Sequence, residues 1–136
     1  MLKESIAAAM PHDPARDPQD LERLLVLRQR AGNLDGMMVL YEPQAVVDCG
    51  DGRVLRGADA IRAYPRVRPP AGPRTSFAGT VAAGRKFAVG EQRPAVVCGE
   101  LALTSTRLPD GTVTAECARR QADGSWRWII DKFVNA

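Results

Sequence analysis

The sequence is poor in the residues that build metal sites and nucleic-acid surfaces. It has one histidine, His12, in a proline-broken polar stretch, so no zinc-type ligand set can be assembled around it. Aromatic residues make up only 5% of the 136 residues, and the net charge of +3 comes from scattered basic residues. Since nucleic-acid binding usually needs a basic stripe with stacking or groove-reading elements, we expect no nucleic-acid partner and no bound metal.

Long apolar runs and paired cysteines are also absent. No apolar run approaches the roughly 20 residues that a membrane-spanning helix needs, and the opening MLKESIAAAM has too short an apolar part for a secretory signal. The three cysteines, Cys49, Cys98 and Cys117, are an odd number without metal-type spacing, and we expect reduced, small apolar core residues. These absences predict a cytoplasmic protein without a membrane partner.

The first half of the chain carries helix patterns. With 45% hydrophobic and 26% charged residues, the chain fits one compact domain that buries a core. Asp17 followed by Pro18 is typical of a helix start, and the leucines after it keep near-helical spacing as far as Gly32. We expect two further helices and a strand pair, in chain order a helix at 34–41, strands at 44–49 and 53–57, and a helix at 58–64.

The last third of the chain reads as strands. After an irregular loop rich in proline and glycine, β-favouring segments separated by turn signals cover residues 85–97, 100–108, 112–121 and 125–134. We therefore predict an α+β domain over residues 17–136, in which N-terminal helices pack on one face of a curved, mixed, mainly antiparallel sheet. Residues 1–16 are expected to form a separate N-terminal segment, either disordered or helical.

Four stretches occur in a specific order and spacing: AGNLDGMMVLYEPQAVVDC, VLRGADAIRAY, CGELALTSTRLPDGTVTAECARRQ and DGSWRWIID. Together they resemble the SnoaL-like branch of the nuclear-transport-factor-2-like superfamily, over roughly residues 20–134. The resemblance implies a cone-shaped α+β barrel with a pocket between sheet and helices, commonly dimeric through the outer sheet surface. The family includes ketosteroid isomerases, polyketide cyclases, dehydratases and many non-catalytic proteins, so the fold alone does not give the function.

The catalytic groups of the steroid isomerases are mostly absent. In their pattern the general base falls at Cys49, the oxyanion-binding tyrosine at Leu25, and the second oxyanion acid at Glu116. Asp48 lies one residue from the base position, which turns its side chain to the opposite face of a strand. With two of three roles missing, steroid isomerisation by the known mechanism is not expected.

Turn signals predict which strand residues face each other. The dipeptide Asp123-Gly124 indicates a tight hairpin in which Ala122 faces Ser125, a register that puts Glu116 opposite Asp131. The loop PDG at residues 109–111, with its glycine in the left-handed region, puts Thr104 opposite Glu116.

Two facing carboxyl groups repel each other when both are ionised. In a half-buried pocket, we expect one of Glu116 and Asp131 to hold its proton toward neutral pH, and the pair to titrate as a unit. Such a pair donates and accepts protons, as enolisation, dehydration or aldol-type cyclisation requires, and it binds a ligand hydroxyl equally well.

The two faces of the last hairpin give conflicting signals. Trp126 and Trp128 lie on the more apolar face, so the pattern alone buries that face and sends Glu116 and Asp131 outward. The resemblance implies the reverse. In that arrangement the carboxyls look into the pocket and the tryptophans form a dimer interface, with Arg119 opposite Trp128 for cation–π stacking.

The predicted site combines Asp131 and Glu116 as catalytic carboxyls with a surrounding pocket. The expected pocket residues are Leu25, Tyr41, Cys49, Tyr64, Thr104 and Phe133. We expect a small, partly apolar carbonyl or hydroxyl ligand, no metal or organic cofactor, and a homodimer. The alternative is a non-catalytic dimeric binding or interaction domain, in which the sheet surface is the working part and the carboxyls are a structural pair.

Overall fold

The computed structural model describes residues 12–50, 52–63, 90–109 and 111–132. The first helix opens with a 3-10 turn, Pro18–Asp20, and continues as α1 (Leu21–Arg30). As the sequence predicts, Asp17 caps this start, and its carboxylate accepts a 2.8 Å hydrogen bond from the Gln19 amide. Within these described ranges, no helix combines the length and the hydropathy that crossing a membrane requires.

Two shorter helices follow, α2 (Leu34–Met38) and α3 (Ala58–Ala63). At the start of α2, the Asn33 side chain accepts a 2.9 Å hydrogen bond from the Gly36 amide. The predicted helix is too long at its end, because the chain turns after Met38 and Tyr41 begins the first strand. This change of element brings the tyrosine into the sheet.

The strands within the described residues are β1 (Tyr41–Asp48), β2 (Val54–Arg56), β3 (Glu91–Cys98), β4 (Leu101–Arg107), β5 (Glu116–Arg120) and β6 (Trp126–Lys132). They form one sheet in the order β2-β1-β6-β5-β4-β3. β1 and β6 are parallel, and every other neighbouring pair is antiparallel. The predicted α+β class, with N-terminal helices on a mixed, mainly antiparallel sheet, is confirmed.

The core lies between the helices and one face of the sheet, which we call the inner face. Leu21 on α1, Met37 on α2 and Ile61 on α3 are fully buried with Val47 of β1. Ala15 is buried as well, and its carbonyl accepts a 2.9 Å hydrogen bond from the Trp126 amide. The folded part therefore extends to the N-terminal side of the predicted boundary at residue 17.

The opposite, outer face of the sheet exposes apolar side chains. Val96 pairs with Leu103, Leu103 with Cys117, and Cys117 with Ile130, which makes one row across β3 to β6. In this outer row Val96, Leu103 and Ile130 expose 64%, 51% and 54% of their surface. The expectation of three core cysteines is correct only for Cys49, because Cys98 is exposed and Cys117 is half-buried.

Candidate functional site

The turn of the last hairpin differs from the prediction. The Gln121 amide donates a 2.7 Å hydrogen bond to the Ser125 carbonyl, so the loop has three residues and Ala122 does not face Ser125. Gly124 adopts a φ of 86°, the left-handed conformation that glycine accepts most readily. The Asp123 carboxylate then accepts hydrogen bonds from the amide and the hydroxyl of Ser125. The pairing next to this turn is therefore offset by one residue.

A β-bulge at Ile129 compensates for the offset. Ala118 pairs with Trp128, whereas the preceding Cys117 pairs with Ile130, so Ile129 is the extra residue. Because a bulge reverses the alternation of side chains, Trp128 and Asp131 share the inner face although they are three positions apart. Beyond the bulge, the pairing of Cys117 with Ile130 follows the predicted register.

Both tryptophans lie in the core. Trp126 and Trp128 expose only 7% and 1% of their surface, and the Trp128 ring lies 5.2 Å from the Tyr41 ring. The prediction that they form an outer dimer face is wrong, because the three-residue turn and the bulge direct them inward together with the carboxyls. Arg119 pairs with Arg127 across the strands and not with Trp128, and its guanidinium binds the Glu42 carboxylate at 2.9 and 3.0 Å.

The Asp131 carboxyl is buried and hydrogen-bonded on both oxygens. The Tyr41 hydroxyl donates to Oδ2 at 2.5 Å, and the Lys132 amide donates to Oδ1 at 2.7 Å. Burial raises the pKa of Asp131, although these hydrogen bonds act in the opposite direction. Burial and the neighbouring Asp131 charge raise the pKa of Tyr41 well above its usual range, so its hydroxyl remains a donor at neutral pH.

The Glu116 carboxyl is oriented by a threonine and a tryptophan. Thr104 pairs with Glu116 across β4 and β5, as predicted, and its hydroxyl donates to Oε1 at 2.7 Å. The Trp128 indole nitrogen lies 3.0 Å from the same hydroxyl oxygen. Since an indole N–H can only donate, the threonine proton is free to point at Glu116. Burial, followed by the Asp131 charge, raises the pKa of Glu116 from 4.5 to about 7.

A third carboxyl, Glu22 on α1, is part of the site and was missed in the sequence. Its pKa is raised from 4.5 to about 7, first by burial and then by the charges of Glu116 and Asp131. Among the described residues, Glu22 makes no hydrogen bond and no ion pair. Glu22 precedes Leu25 by three residues, so helical spacing alone puts it on the face that was assigned to the pocket. We call Glu22, Glu116 and Asp131 the acidic cluster.

The remaining predicted pocket residues lie in different places. Leu25 is a buried member of the hydrophobic core, and Cys49 is buried just after β1. Tyr64 and Phe133 fall outside the described residues. Across the ranges that the structure describes, no group of three or more histidine, cysteine, aspartate or glutamate side chains could hold a metal ion.

Solved structures share this fold. A protein from Shewanella frigidimarina, proposed to be a ketosteroid isomerase, is 12% identical with a TM-score of 0.59, over 88% of this chain and 97% of that one. A nuclear-transport-factor-2-like protein with a cystatin-like fold from Novosphingobium aromaticivorans is 17% identical with a TM-score of 0.56, over 84% and 76%. A SnoaL-like protein of unknown function from Burkholderia thailandensis is 15% identical with a TM-score of 0.52, over 87% and 93%.

These likenesses show the fold and not the activity, because the identities are low. They confirm the cone-shaped α+β architecture that the sequence resemblance implied. No protein-family model matches the chain, and neither does any curated protein. The functional argument therefore rests on the site itself.

Proposed function

We propose that the protein binds a small, partly apolar carbonyl or hydroxyl compound at the acidic cluster. The carboxyls of the cluster then transfer protons to and from this compound, without a metal or organic cofactor. The observation that carries the proposal is the burial of Glu116 on β5 and Asp131 on β6 on the inner face, where the charges of both also raise the pKa of Glu22 on α1. Buried carboxyls without a cation stabilise a fold poorly. Carboxyls that titrate near neutral pH, in contrast, are suited to acid–base catalysis.

The roles follow from the hydrogen bonds. Glu22 and Glu116, each with a pKa of about 7, are present in both protonation states at neutral pH. One of them in its ionised form can take a proton from the ligand, while the other in its acid form donates one to an oxygen. The Tyr41 hydroxyl fixes the orientation of the Asp131 carboxyl. Asp131 can share a proton with Glu22 and Glu116, so the three carboxyls of the cluster titrate as a unit.

This chemistry fits isomerisation, dehydration or aldol-type cyclisation. It differs from the known steroid isomerase mechanism, because the position of the general base is occupied by the buried thiol of Cys49. An exposed thiol, Cys98, is typical of proteins from a reducing compartment, which supports a cytoplasmic location.

The test is a thermal-shift screen with small ketones and alcohols on the parent protein and on Glu116→Gln and Asp131→Asn. A ligand of the cluster stabilises the parent and loses its effect in both variants. The control Glu42→Gln, at a carboxylate that binds Arg119 outside the cluster, should retain the stabilisation. For a ketone that binds, nuclear magnetic resonance should detect solvent deuterium entering at the adjacent carbon, about 100-fold slower in the variants. Equal stabilisation of all four proteins would contradict the proposal.

A second candidate function, a dimeric interaction domain, is supported by the outer row. Exposed contiguous apolar side chains mark interaction surfaces, and this row is apolar across four strands. We propose that a second copy of the chain covers it, in place of the tryptophan interface. Leu103→Glu should convert the dimer to a monomer in sedimentation experiments, while Leu27→Glu, at an exposed leucine of α1, should not. A parent protein that is monomeric at micromolar concentration would contradict this second function.

A further inference from the structure

The acidic cluster has no positive charge beside it within the described part of the chain. Neither the pKa of Glu22 nor that of Glu116 is lowered by a neighbouring cation. Four basic side chains on adjacent elements are bound elsewhere: Arg23 to Asp20, Arg28 to the carbonyls of Asp13 and Gly36, Arg119 to Glu42, and Lys132 to Asp48. The charge of Arg127 on β6 acts on Glu42 and Asp123, whose pKa values it lowers. Among the described residues, the cluster thus has hydroxyl and amide donors but no counter-charge.

Within the part of the chain that the structure describes, a buried hydroxyl on β4 also lacks a partner. Thr106 follows Thr104 by two residues on β4, so both side chains project from the inner face. It is only 2% exposed, and its hydroxyl oxygen has no hydrogen-bond partner among the residues described. The Thr106 amide donates to the Thr114 hydroxyl at 3.1 Å, and that threonine hydrogen-bonds to Glu116. The unpartnered oxygen therefore belongs to a buried inner-face side chain, two residues along β4 from the threonine that donates to Glu116.

We infer that the acidic cluster selects ligands that carry an ammonium group, such as a small amino alcohol or amino ketone. The inference rests on the proposed function and narrows its ligand class. An ammonium group has three N–H donors and no acceptor, which matches a site of carboxyl oxygens and a free hydroxyl oxygen. It also brings a positive charge, which none of the described residues places beside Glu22, Glu116 and Asp131.

The charge of the ligand sets the expected selectivity. A neutral alcohol of the same shape gains hydrogen bonds but leaves the repulsion between the carboxyls unchanged, and a carboxylate ligand adds to that repulsion. The titratable groups that face this region from the described elements are Glu22 on α1, Tyr41 on β1, Glu116 on β5 and Asp131 on β6. Since an ammonium ion binds the ionised carboxyls, its binding releases protons and strengthens as the pH rises through about 7.

The experiment compares three probes of the same carbon skeleton: cyclohexylamine, cyclohexanol and cyclohexanecarboxylate. Dissociation constants are measured by nuclear magnetic resonance titration of the full chain at pH 6 and pH 8. We expect cyclohexylamine to bind about tenfold more tightly than cyclohexanol at pH 8, and the preference to shrink several-fold at pH 6. Glu22→Gln and Glu116→Gln should each remove most of this preference, so that cyclohexylamine binds no more than about twofold more tightly than cyclohexanol in either variant. Glu42→Gln is the matched control and should bind like the parent.

The outcomes separate this inference from the proposed function. If cyclohexanol binds as tightly as cyclohexylamine and both depend on Glu116, the ammonium preference is refuted and the proposed function stands. An amine effect that persists in Glu22→Gln and Glu116→Gln, or an equal effect of magnesium or calcium chloride, also overturns the inference. If none of the three probes binds at millimolar concentration, both the inference and the proposed ligand site are refuted.

Discussion

The Tyr41 hydroxyl donates a 2.5 Å hydrogen bond to Asp131 Oδ2 between the parallel strands β1 and β6. Both side chains are buried, and their residues are ninety positions apart in the chain. The bond joins the first strand to the last one and positions a carboxyl on the inner face of the sheet. Because the strand order places β1 beside β6, it determines where the Asp131 carboxyl lies in the site.

Removing this hydroxyl should affect both stability and titration. Tyr41→Phe leaves one oxygen of a buried carboxyl without its donor, so we expect a loss of about 1–3 kcal/mol in the free energy of unfolding at neutral pH. Because the hydrogen bond lowers the pKa of Asp131, that pKa should rise further in the variant. Urea denaturation and carbon-detected titration of the Asp131 carboxyl measure the two effects. An unchanged titration would show that the bond does not form in solution.

The stability of the protein should fall as the pH rises from about 4.5 to about 7. Glu22 and Glu116 have folded-state pKa values of about 7 against 4.5 for the ordinary group, so the folded state holds more protons in this window. Their stabilising contribution is complete below the window and is lost as the pH passes the raised pKa. Urea midpoints at four pH values across the window measure the slope.

Glu116→Gln tests the source of that slope. The amide cannot ionise, so the variant should lose less stability across the window and should exceed the parent by about 1–3 kcal/mol at pH 8. In the control Glu42→Gln the slope should persist. The hydrogen bond with Arg119 lowers the pKa of Glu42, so this carboxyl titrates below the window. A parent stability that stays level or rises between these pH values would refute the raised pKa values.

The tryptophans should report a core location. Because Trp126 and Trp128 are buried within the single chain, their fluorescence should be blue-shifted, poorly quenched by acrylamide, and independent of protein concentration. Trp128→Phe removes the donor to the Thr104 hydroxyl and should destabilise the fold by about 1–3 kcal/mol. Emission that shifts to the red on dilution would instead indicate tryptophans at a subunit interface.

The pairing of Thr104 with Glu116 could be predicted because its turn allows one solution. The loop before β5 carries its glycine, Gly111, at a φ of 92°, and the Leu108 amide bonds to the Thr112 carbonyl across a three-residue loop. A Pro-x-Gly sequence between two alternating segments leaves little freedom at this position. The register, and with it the neighbour of Glu116, follows from local chemistry.

The last hairpin could not be read in this way. An Asp-Gly pair fits two-residue and three-residue loops, and the choice between them reverses the face of every residue that follows. The bulge at Ile129 reverses the faces again beyond Trp128, and an isoleucine between apolar neighbours gives no sign of it. Asp131 therefore lies on the predicted face while the tryptophans do not.

The place of Glu22 at the site could be predicted from the sequence, whereas the strand position of Tyr41, an expected pocket residue, could not. Glu22 shares a helix face with Leu25, because the two residues are three positions apart in α1. Tyr41 follows a short apolar run, whose length fits the end of a helix as well as the start of a strand. The packing of β1 beside β6 decides between the two, and this long-range contact is not encoded locally.

The most direct test of the central claim is a carbon-detected titration of the glutamate carboxyls in the parent protein and in Asp131→Asn. We predict that Glu22 and Glu116 titrate near pH 7 in the parent, while Glu42 titrates below its usual range. In Asp131→Asn the pKa values of Glu22 and Glu116 should both fall, because the neighbouring charge of Asp131 has been removed. Titration of Glu22 and Glu116 near 4.5 in both proteins would contradict the existence of the acidic cluster.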